Sequence, residues 1–388
     1  MTKKLRILVT GAGGPGAVNL CRSLLMMNPQ PTLVAADASA EYIYLALGHI
    51  RERVPRCSDQ GAYLASIREL VTRHAIDLIL PNNSLEIAVL REAEGTLGAR
   101  IMLPDPATLR AANSKWESYV VWREAGIPVP ETHLLRTPES LEACFSRLQE
   151  SGGDPEGRVW VRGAGIPGKG IGVASLPCRT IGQALEWVNY WSGWEGMIAS
   201  EYLPGDNLTW MGLFQRGELV MSQGRRRLAY VIPHVSPSGI TGAPAISETV
   251  NDPELNRIGE AAVRAIDPEY HGVGFVDLKG DTSGAPRVTE LNAGRFGTTH
   301  FFYTAAGANF PEALVRLAMG ERPEVPKRDP LPAGLTWIRT LDAGPVLTTR
   351  EAIERGEYPE LEPGQSWPNV PQKMGEFSSP VRPWIPED

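Results

Sequence analysis

Gly272–Gly297 reads GVGFVDLKGDTSGAPRVTELNAGRFG, and the reading of this stretch decides the fold. Val273–Leu278 has the composition of a buried strand with one acid, Asp277, inside it. Asp281–Gly284 clusters Asp, Ser and Gly, which marks a turn. Arg287–Asn292 then reads as the returning strand. With a side-chain period of two, Glu290 and Asn292 share a face and Leu291 takes the other. A hairpin brings Asp277 beside them, so that one face carries two carboxylates and a carboxamide, followed by Arg295. A set of oxygen ligands of this kind suits Mg²⁺ that also holds nucleotide phosphates. The plainer alternative is a hairpin with polar groups on a solvent face.

With those residues in view, the stretch resembles the metal-binding signature of the ATP-grasp superfamily, nearest to its carbamoyl-phosphate-synthase-like carboxylate–amine ligases. That family ends the strand Glu-x-Asn-Pro-Arg. Here the Pro is missing and the Arg comes one residue later, as Glu290-Leu291-Asn292-Ala293-Gly294-Arg295. The resemblance runs from about Lys4 to Gly320 and weakens beyond.

Composition sets outer bounds. At 388 residues the chain is too long for one small core, and two or three domains are expected. A net charge of −7 argues against a general binder of nucleic acid or anionic membrane. The basic run Arg225-Arg226-Arg227 falls in a strand and splits between two faces; a solvated edge is the plainer expectation, although one of the three could reach a substrate carboxylate. Cys21, Cys57, Cys144 and Cys178 form no CxxC pair, and the six histidines show no metal-ligand spacing. Met1-Thr2-Lys3-Lys4 leads straight into a strand, so no signal peptide is expected, and no apolar run is long enough to span a bilayer. The expected location is the cytoplasm.

The N-terminal third alternates strand and helix. Leu5–Val9 is a strand, Gly11–Gly16 a G-x-G-x-x-G turn, Ala17–Met27 a helix, and Thr32–Ala36 a second strand closed by Asp37. Taken alone this fits a dinucleotide, with Asp37 on the ribose. That keeps an NAD(P)-dependent oxidoreductase open as an alternative, although no Tyr-x-x-x-Lys pair accompanies it. The units continue through Gly61–His74, Ile76–Leu80, Ser84–Glu94 and Arg100–Leu103, implying a parallel sheet covered on both faces. Gly13, Gly14, Asp37, Asn82 and Asn83 would gather at the carboxyl ends of its strands, where ligands of such sheets sit; for the two asparagines a plain turn is the favoured reading. In the resembling family a domain of this kind precedes the ATP-grasp fold and binds no dinucleotide.

The remaining signals take their meaning from the resemblance. The helix from Lys115 to Ala125, closed by Gly126-Ile127-Pro128-Val129-Pro130, is similar to the start of the first grasp subdomain, where a basic residue at Lys115 contacts phosphate. Arg158–Arg162 is a strand, and the loop Gly163–Gly172 after it holds Gly168, Lys169 and Gly170. Glycines let backbone N–H groups turn toward an anion, and such a loop can close as a lid. The resemblance gives Arg162 the α-phosphate, Glu201, Tyr202 and Leu203 the adenine edge, and Asn207 the ribose position usually held by Glu. It gives Mg²⁺, or Mn²⁺, to Asp277, Glu290 and Asn292, and the reacting carboxylate to Arg295.

The expected architecture is α/β and α+β: a Rossmann-like parallel sheet over 1–112, a two-subdomain ATP-grasp fold over 113–195 and 196–320, and a Pro-rich extension over 321–388. The expected function is an ATP- and Mg²⁺-dependent ligase that joins a small carboxylate to an amine, or to a similar nucleophile such as a thiol, through an acyl phosphate. Its expected partners are small molecules, with a homodimer open. Carbamoyl-phosphate-type synthesis is the alternative within the superfamily, but the chain shows no internal duplication to hold two synthetase halves. A non-catalytic nucleotide-binding module would have no need of the Asp277, Glu290 and Asn292 set.

Overall fold

The computed structural model describes residues 4–166, 174–235, 238–239, 242–340, 346–351 and 381–382. Its first part alternates as expected: β1 (Arg6–Thr10), α1 (Pro15–Leu25), β2 (Thr32–Asp37), β3 (Ile50–Arg53), α2 (Gln60–Arg73), β4 (Leu78–Pro81), α3 (Ser84–Glu92) and β5 (Arg100–Ile101). The helices begin where the sequence supplies a stop for the preceding strand and a cap for the amides. Pro15 opens α1, Asp59 accepts from Ala62 N ahead of α2, and Asn83 accepts from Leu85 N ahead of α3. The strands pair in the order β17-β3-β2-β1-β4-β5, all parallel, where β17 is Val381–Arg382 from the far end of the chain. At those two residues the C-terminal stretch packs in extended form on the body.

After α4 (Pro106–Asn113) and α5 (Lys115–Glu124) come β6 (Thr132–Leu135), α6 (Pro138–Gly152), β7 (Val159–Gly163), β8 (Leu176–Cys178), α7 (Ile181–Tyr190) and β9 (Met197–Glu201). Strands β6, β9, β7 and β8 make an antiparallel sheet in that order. The strand after the glycine-rich loop, expected over 173–176, starts later, and Val173 lies outside the described residues. This sheet has an apolar core of its own, with Leu135, Leu141, Phe145, Val161, Val188 and Met197 fully or almost fully buried.

The third sheet contains β10 (Asn207–Gln215), β11 (Glu218–Tyr230), β12 (Pro244–Val250), β13 (Gly272–Gly280), β14 (Pro286–Ala293), β15 (Leu335–Ile338) and β16 (Val346–Thr349). It is antiparallel, in the order β14-β13-β10-β11-β12-β15-β16. Helix α8 (Pro253–Ile266) covers one face, and α5 joins it there, with Trp122 Nε1 donating to Ala262 O at 2.8 Å. Helices α9 (Phe301–Ala305) and α10 (Phe310–Ala318) pack between this sheet and α1, so Met211, Met221 and Phe275 share a core with Val9, Leu20 and Leu33. The large sheet and the parallel sheet are thus joined by apolar packing, while the small four-stranded sheet keeps a separate core. Among the described residues no helix is long and apolar enough to cross a membrane.

The arginine run corrects the sequence reading. Strand β11 lies inside the sheet between β10 and β12, not at a solvated edge. Arg225 is 6 % exposed. The run does split by face: Arg226 pairs with Asp206 at 2.7 Å and Glu248 at 2.9 Å, while Arg227 lies near Asp277.

Candidate active site

The β13–β14 register sets Asp277 directly opposite Glu290 and Phe275 opposite Asn292. Between Asp277 and Leu278 the register slips, leaving one extra residue on β14. A bulge of this kind re-aims side chains. Strict alternation would have put Val288 on the face of Glu290; instead Val288 is buried in the core, and Thr289 lines the cleft beside Glu290. Thr289 Oγ1 donates to Asp277 O at 3.0 Å, which fixes the two strands at this point.

Basic groups from the other side meet this face. Ser114 caps α5, accepting from Glu117 N at 3.2 Å, and Lys115 N donates to Ala164 O at 2.7 Å. The helix start is thereby tied to the chain just after β7. Lys115 Nζ lies 3.4 Å from Glu290 Oε1, and Arg162 Nη1 lies 3.8 Å from Glu290 Oε2. Arg162 Nη2 also donates to Thr289 O at 2.7 Å. Burial works to push the Glu290 carboxyl up, but the charges of Lys115 and Arg162, with Arg295 behind them, overcome that and hold it below the usual carboxylate range. Glu290 is therefore ionised at neutral pH. Asp277 Oδ1 accepts from Thr209 Oγ1 at 2.8 Å and faces Arg227 Nη2 at 3.2 Å.

Arg295 reaches the same cleft despite the extra residue before it. Gly294 has φ +75°, a left-handed turn that absorbs the insertion, and a Cβ there would lie 3.3 Å from Leu103 and Pro104. Arg295 Nη2 then donates to Asn292 Oδ1 at 2.6 Å. The next residue is held by the N-terminal part of the chain, Phe296 N donating to Asn82 Oδ1 at 2.9 Å. Asn82, expected as a plain turn, is a bridge between the parallel sheet and the segment that carries Arg295. Asn83 is the cap of α3, as a turn residue should be.

The cleft has a volume of about 440 Å³. Trp160, Arg162, Glu201, Tyr202, Leu203, Asn207, Asp277, Glu290, Asn292 and Arg295 all line it, with Arg227 and Lys279. Apart from Trp160, Arg227 and Lys279, each of these was selected from the sequence, and Lys115 joins them through its contact with Glu290. Gly168, Lys169 and Gly170 lie outside the described residues. At the hinge, Glu201 Oε2 accepts from Glu131 N at 2.9 Å, and the ring of Tyr202 lies 3.9 Å beneath the Arg158 guanidinium. Both side chains have partners, and Glu201 N itself donates to Glu131 O at 3.0 Å. Asp206 is taken by Arg226, while Asn207 lines the cleft and its Oδ1 accepts from Lys279 Nζ at 3.3 Å. Burial, with Arg227 nearby, draws the Lys279 ammonium down to about 8.

Sequence reasoning misses Lys279, Thr209 and Trp160, and reads Arg227 only as one of a run for which a solvated edge is the plainer expectation. Lys279 stands two residues after Asp277, so the same period-two rule places it on the cleft face. Among the described residues no group of three or more His, Cys, Asp or Glu side chains is placed to hold a metal ion. Asp277 and Glu290 supply two carboxylates, and Asn292 the third oxygen. That donor set fits Mg²⁺, which takes one or two carboxylates and fills its remaining positions with phosphate oxygens and water.

The glycine turn after β1 is filled by the chain's own groups. Gly13 N donates to Asp37 Oδ2 at 2.8 Å, and a Cβ on Gly13 would meet Tyr42 O at 2.2 Å. Glu86 Oε2 lies 3.3 Å from the Cβ position of Gly11, and burial pushes that carboxyl up to about 7. The amide and the acid that a dinucleotide would use are bonded to each other.

No protein-family model and no curated protein matches the chain. Solved structures do match. The biotin carboxylase domain of 2-oxoglutarate carboxylase from Hydrogenobacter thermophilus, solved with MgADP, ADP and bicarbonate, superposes with a TM-score of 0.63 at 15 % identity, covering 86 % of this chain and 73 % of that one. N5-carboxyaminoimidazole ribonucleotide synthetase from Thermus thermophilus gives 0.62 at 18 %, covering 86 % and 82 %. L-amino acid ligase from Bacillus licheniformis gives 0.60 at 14 %, covering 82 % and 75 %. These likenesses, together with the parallel sheet, the two antiparallel sheets and their order along the chain, identify the fold: the chain has the ATP-grasp fold, preceded by a Rossmann-like domain.

Proposed function

We propose that the chain is an ATP-dependent ligase that activates a carboxylate as an acyl phosphate and passes the acyl group to an amine or a similar nucleophile, releasing ADP and phosphate. The observation that carries this reading is the convergence of Asp277, Glu290, Asn292, Lys115, Arg162 and Arg295, drawn from both antiparallel sheets and α5, on one cleft. In this reading the backbone of Glu201–Leu203 takes the adenine edge, Asn207 the ribose, and Lys115 and Arg162 the phosphates. Mg²⁺ held by Asp277, Glu290 and Asn292 would neutralise charge on the β- and γ-phosphates. Lys115 and Arg162, now on Glu290, would turn to those phosphates when the nucleotide enters. Arg295 orients the attacking carboxylate and then stabilises the oxyanion formed as the nucleophile adds and phosphate leaves. The MgADP bound to the Hydrogenobacter domain and the ligase activities named for the other two neighbours support the same class of chemistry. The fill of the Gly11–Gly16 turn by Asp37 and Tyr42 weighs against nicotinamide binding.

The test is to supply Mg-ATP and pools of small carboxylic acids and amines, then identify the nucleotide product. ADP and phosphate are expected, and only with the right acid. AMP and pyrophosphate would overturn the reading and point to an adenylating enzyme.

A further inference from the structure

The residues assigned above leave one strongly charged part of the same sheet face unused. Residues paired directly across neighbouring strands point to the same face. Glu290 pairs with Asp277, Asp277 with Thr209, Thr209 with Arg225, and Arg225 with Thr249. Arg225 therefore stands on the face of the carboxylates, two strand spacings or roughly 10 Å from Asp277. In the next row Lys279, Asn207, Arg227 and Ser247 are paired in succession. Arg339, just after β15, lies close enough to Arg225 for the two charges to oppose each other.

The charges there do not balance. Arg227 has Asp277 as its carboxylate. Among the described residues Arg339 donates to neutral oxygens only, Pro244 O at 2.8 Å, Thr298 O at 3.2 Å and Thr298 Oγ1 at 3.1 Å. Arg225 is buried, and its Nε and Nη1 have no hydrogen-bond partner among the described residues. The hydroxyls of Tyr230, Ser247 and Tyr303 are likewise buried without a partner. Tyr230 and Tyr303 lie within the electrostatic reach of Arg225, and Ser247 lies opposite Arg227. Of the acids around this run, Asp206 and Glu248 are on the other face with Arg226, and Asp277, paired with Arg227, acts on Arg225 only from a distance. Buried guanidinium N–H groups left unbonded are strongly unfavourable, and so are the unbonded hydroxyls beside them. A cation would be repelled here, and a neutral ligand would leave the charge standing.

We propose that the acid activated in this cleft carries at least two negative groups, and that Arg225 and Arg339, with the hydroxyls of Tyr303 and Ser247, hold the second one, a carboxylate or a phosphate. This rests on the ligase reading, in which the first carboxylate lies at Arg295 and the metal residues. The second group sits one to two strand spacings away, which calls for a short spacer between the two anions. Arg227, bridging to Asp277, lies between them.

The test is calorimetric titration of the wild-type protein in Mg-ADP with succinate, glutarate and 3-phosphonopropionate, against butyrate and valerate as matched single anions. A charge-assisted pair of this kind should make the double anions at least ~10-fold tighter. Succinate or glutarate ahead of phosphonopropionate assigns a carboxylate to the pocket, and the reverse order a phosphate. Arg225→Met should bring both classes to the same affinity. Its melting temperature without ligand should equal or exceed that of wild type, because Nε and Nη1 of the guanidinium are buried without a hydrogen-bond partner among the described residues. Single anions binding as well as double ones, an undiminished preference in Arg225→Met, or collapse of its fold would each overturn the proposal. Failure of the wild-type protein to bind Mg-ADP would instead fail the nucleotide reading on which it rests, and the proposal with it.

Discussion

Glu290→Gln should lower the rate of ADP formation by at least ~10²-fold while leaving the fold in place. The substitution keeps the size of the side chain and its capacity to accept hydrogen bonds. It removes one of two carboxylate charges on the hairpin face, and with it the counter-ion of Lys115 and Arg162, at 3.4 and 3.8 Å. The rest of the metal-side set would be Asp277, already shared with Arg227, and Asn292, already shared with Arg295. Neither can replace the lost charge. The sign of the pH dependence follows from the same contacts. The folded-state value is depressed, so the stability Glu290 contributes is present above the ordinary carboxylate range and is lost as pH falls through the depressed value. Protonation in acid should therefore reproduce the loss seen in the Gln variant. Steady-state rates and a thermal melt check both parts. A folded variant that keeps most of its activity would place the metal somewhere other than this hairpin.

Arg295→Met should reduce trapping of the activated acid by hydroxylamine ~10²-fold or more, with Mg-ATP affinity changed much less. The position of Arg295 is set twice: by the left-handed turn at Gly294 and by the bond to Asn292 Oδ1. It makes no ion pair among the described residues and feels Glu290 only as a more distant charge, so its guanidinium can turn to a substrate. A fixed cation at a developing oxyanion in a water-poor cleft contributes far more than in bulk water, and removal of one such donor has an effect of this size. Met retains the length and the packing of the stem. Hydroxamate formed at the wild-type rate would deny Arg295 any catalytic role. A parallel loss of Mg-ATP binding would make it a nucleotide ligand.

Local patterns made much of this fold legible. The β/α units before Asn113 follow from apolar runs and caps, and the β13–β14 hairpin from its turn and its acids. The resemblance supplied Lys115, Arg162 and the Glu201–Leu203 hinge, whose separate sequence signals are weak. Long-range pairing was not legible. Nothing near Asn82 announces that it holds Phe296 N, 214 residues later. The bulge that exchanges Val288 for Thr289 on the cleft face breaks the period on which strand reading depends. Strand β12 was missed because three of its four buried residues, Ser247, Glu248 and Thr249, are polar. The same cause misplaced Arg225. Polar residues normally mark the surface, and a sheet that buries them around a ligand site reverses the usual signal. Helix α6 did carry a signal, a capping box of Thr137 and Ser140, that the reading passed over.

The central claim is that a carboxylate attacks the γ-phosphate of ATP in this cleft, and the fate of one oxygen atom tests it most directly. The acid found to support ADP release is labelled with heavy-isotope oxygen in its carboxylate, and the phosphate released with the ligated product is examined by phosphorus NMR. Attack by the carboxylate leaves one of its oxygens bonded to phosphorus when the nucleophile takes the acyl group. Labelled inorganic phosphate, in step with product, is the predicted result. Unlabelled phosphate, or label in AMP, would contradict the account.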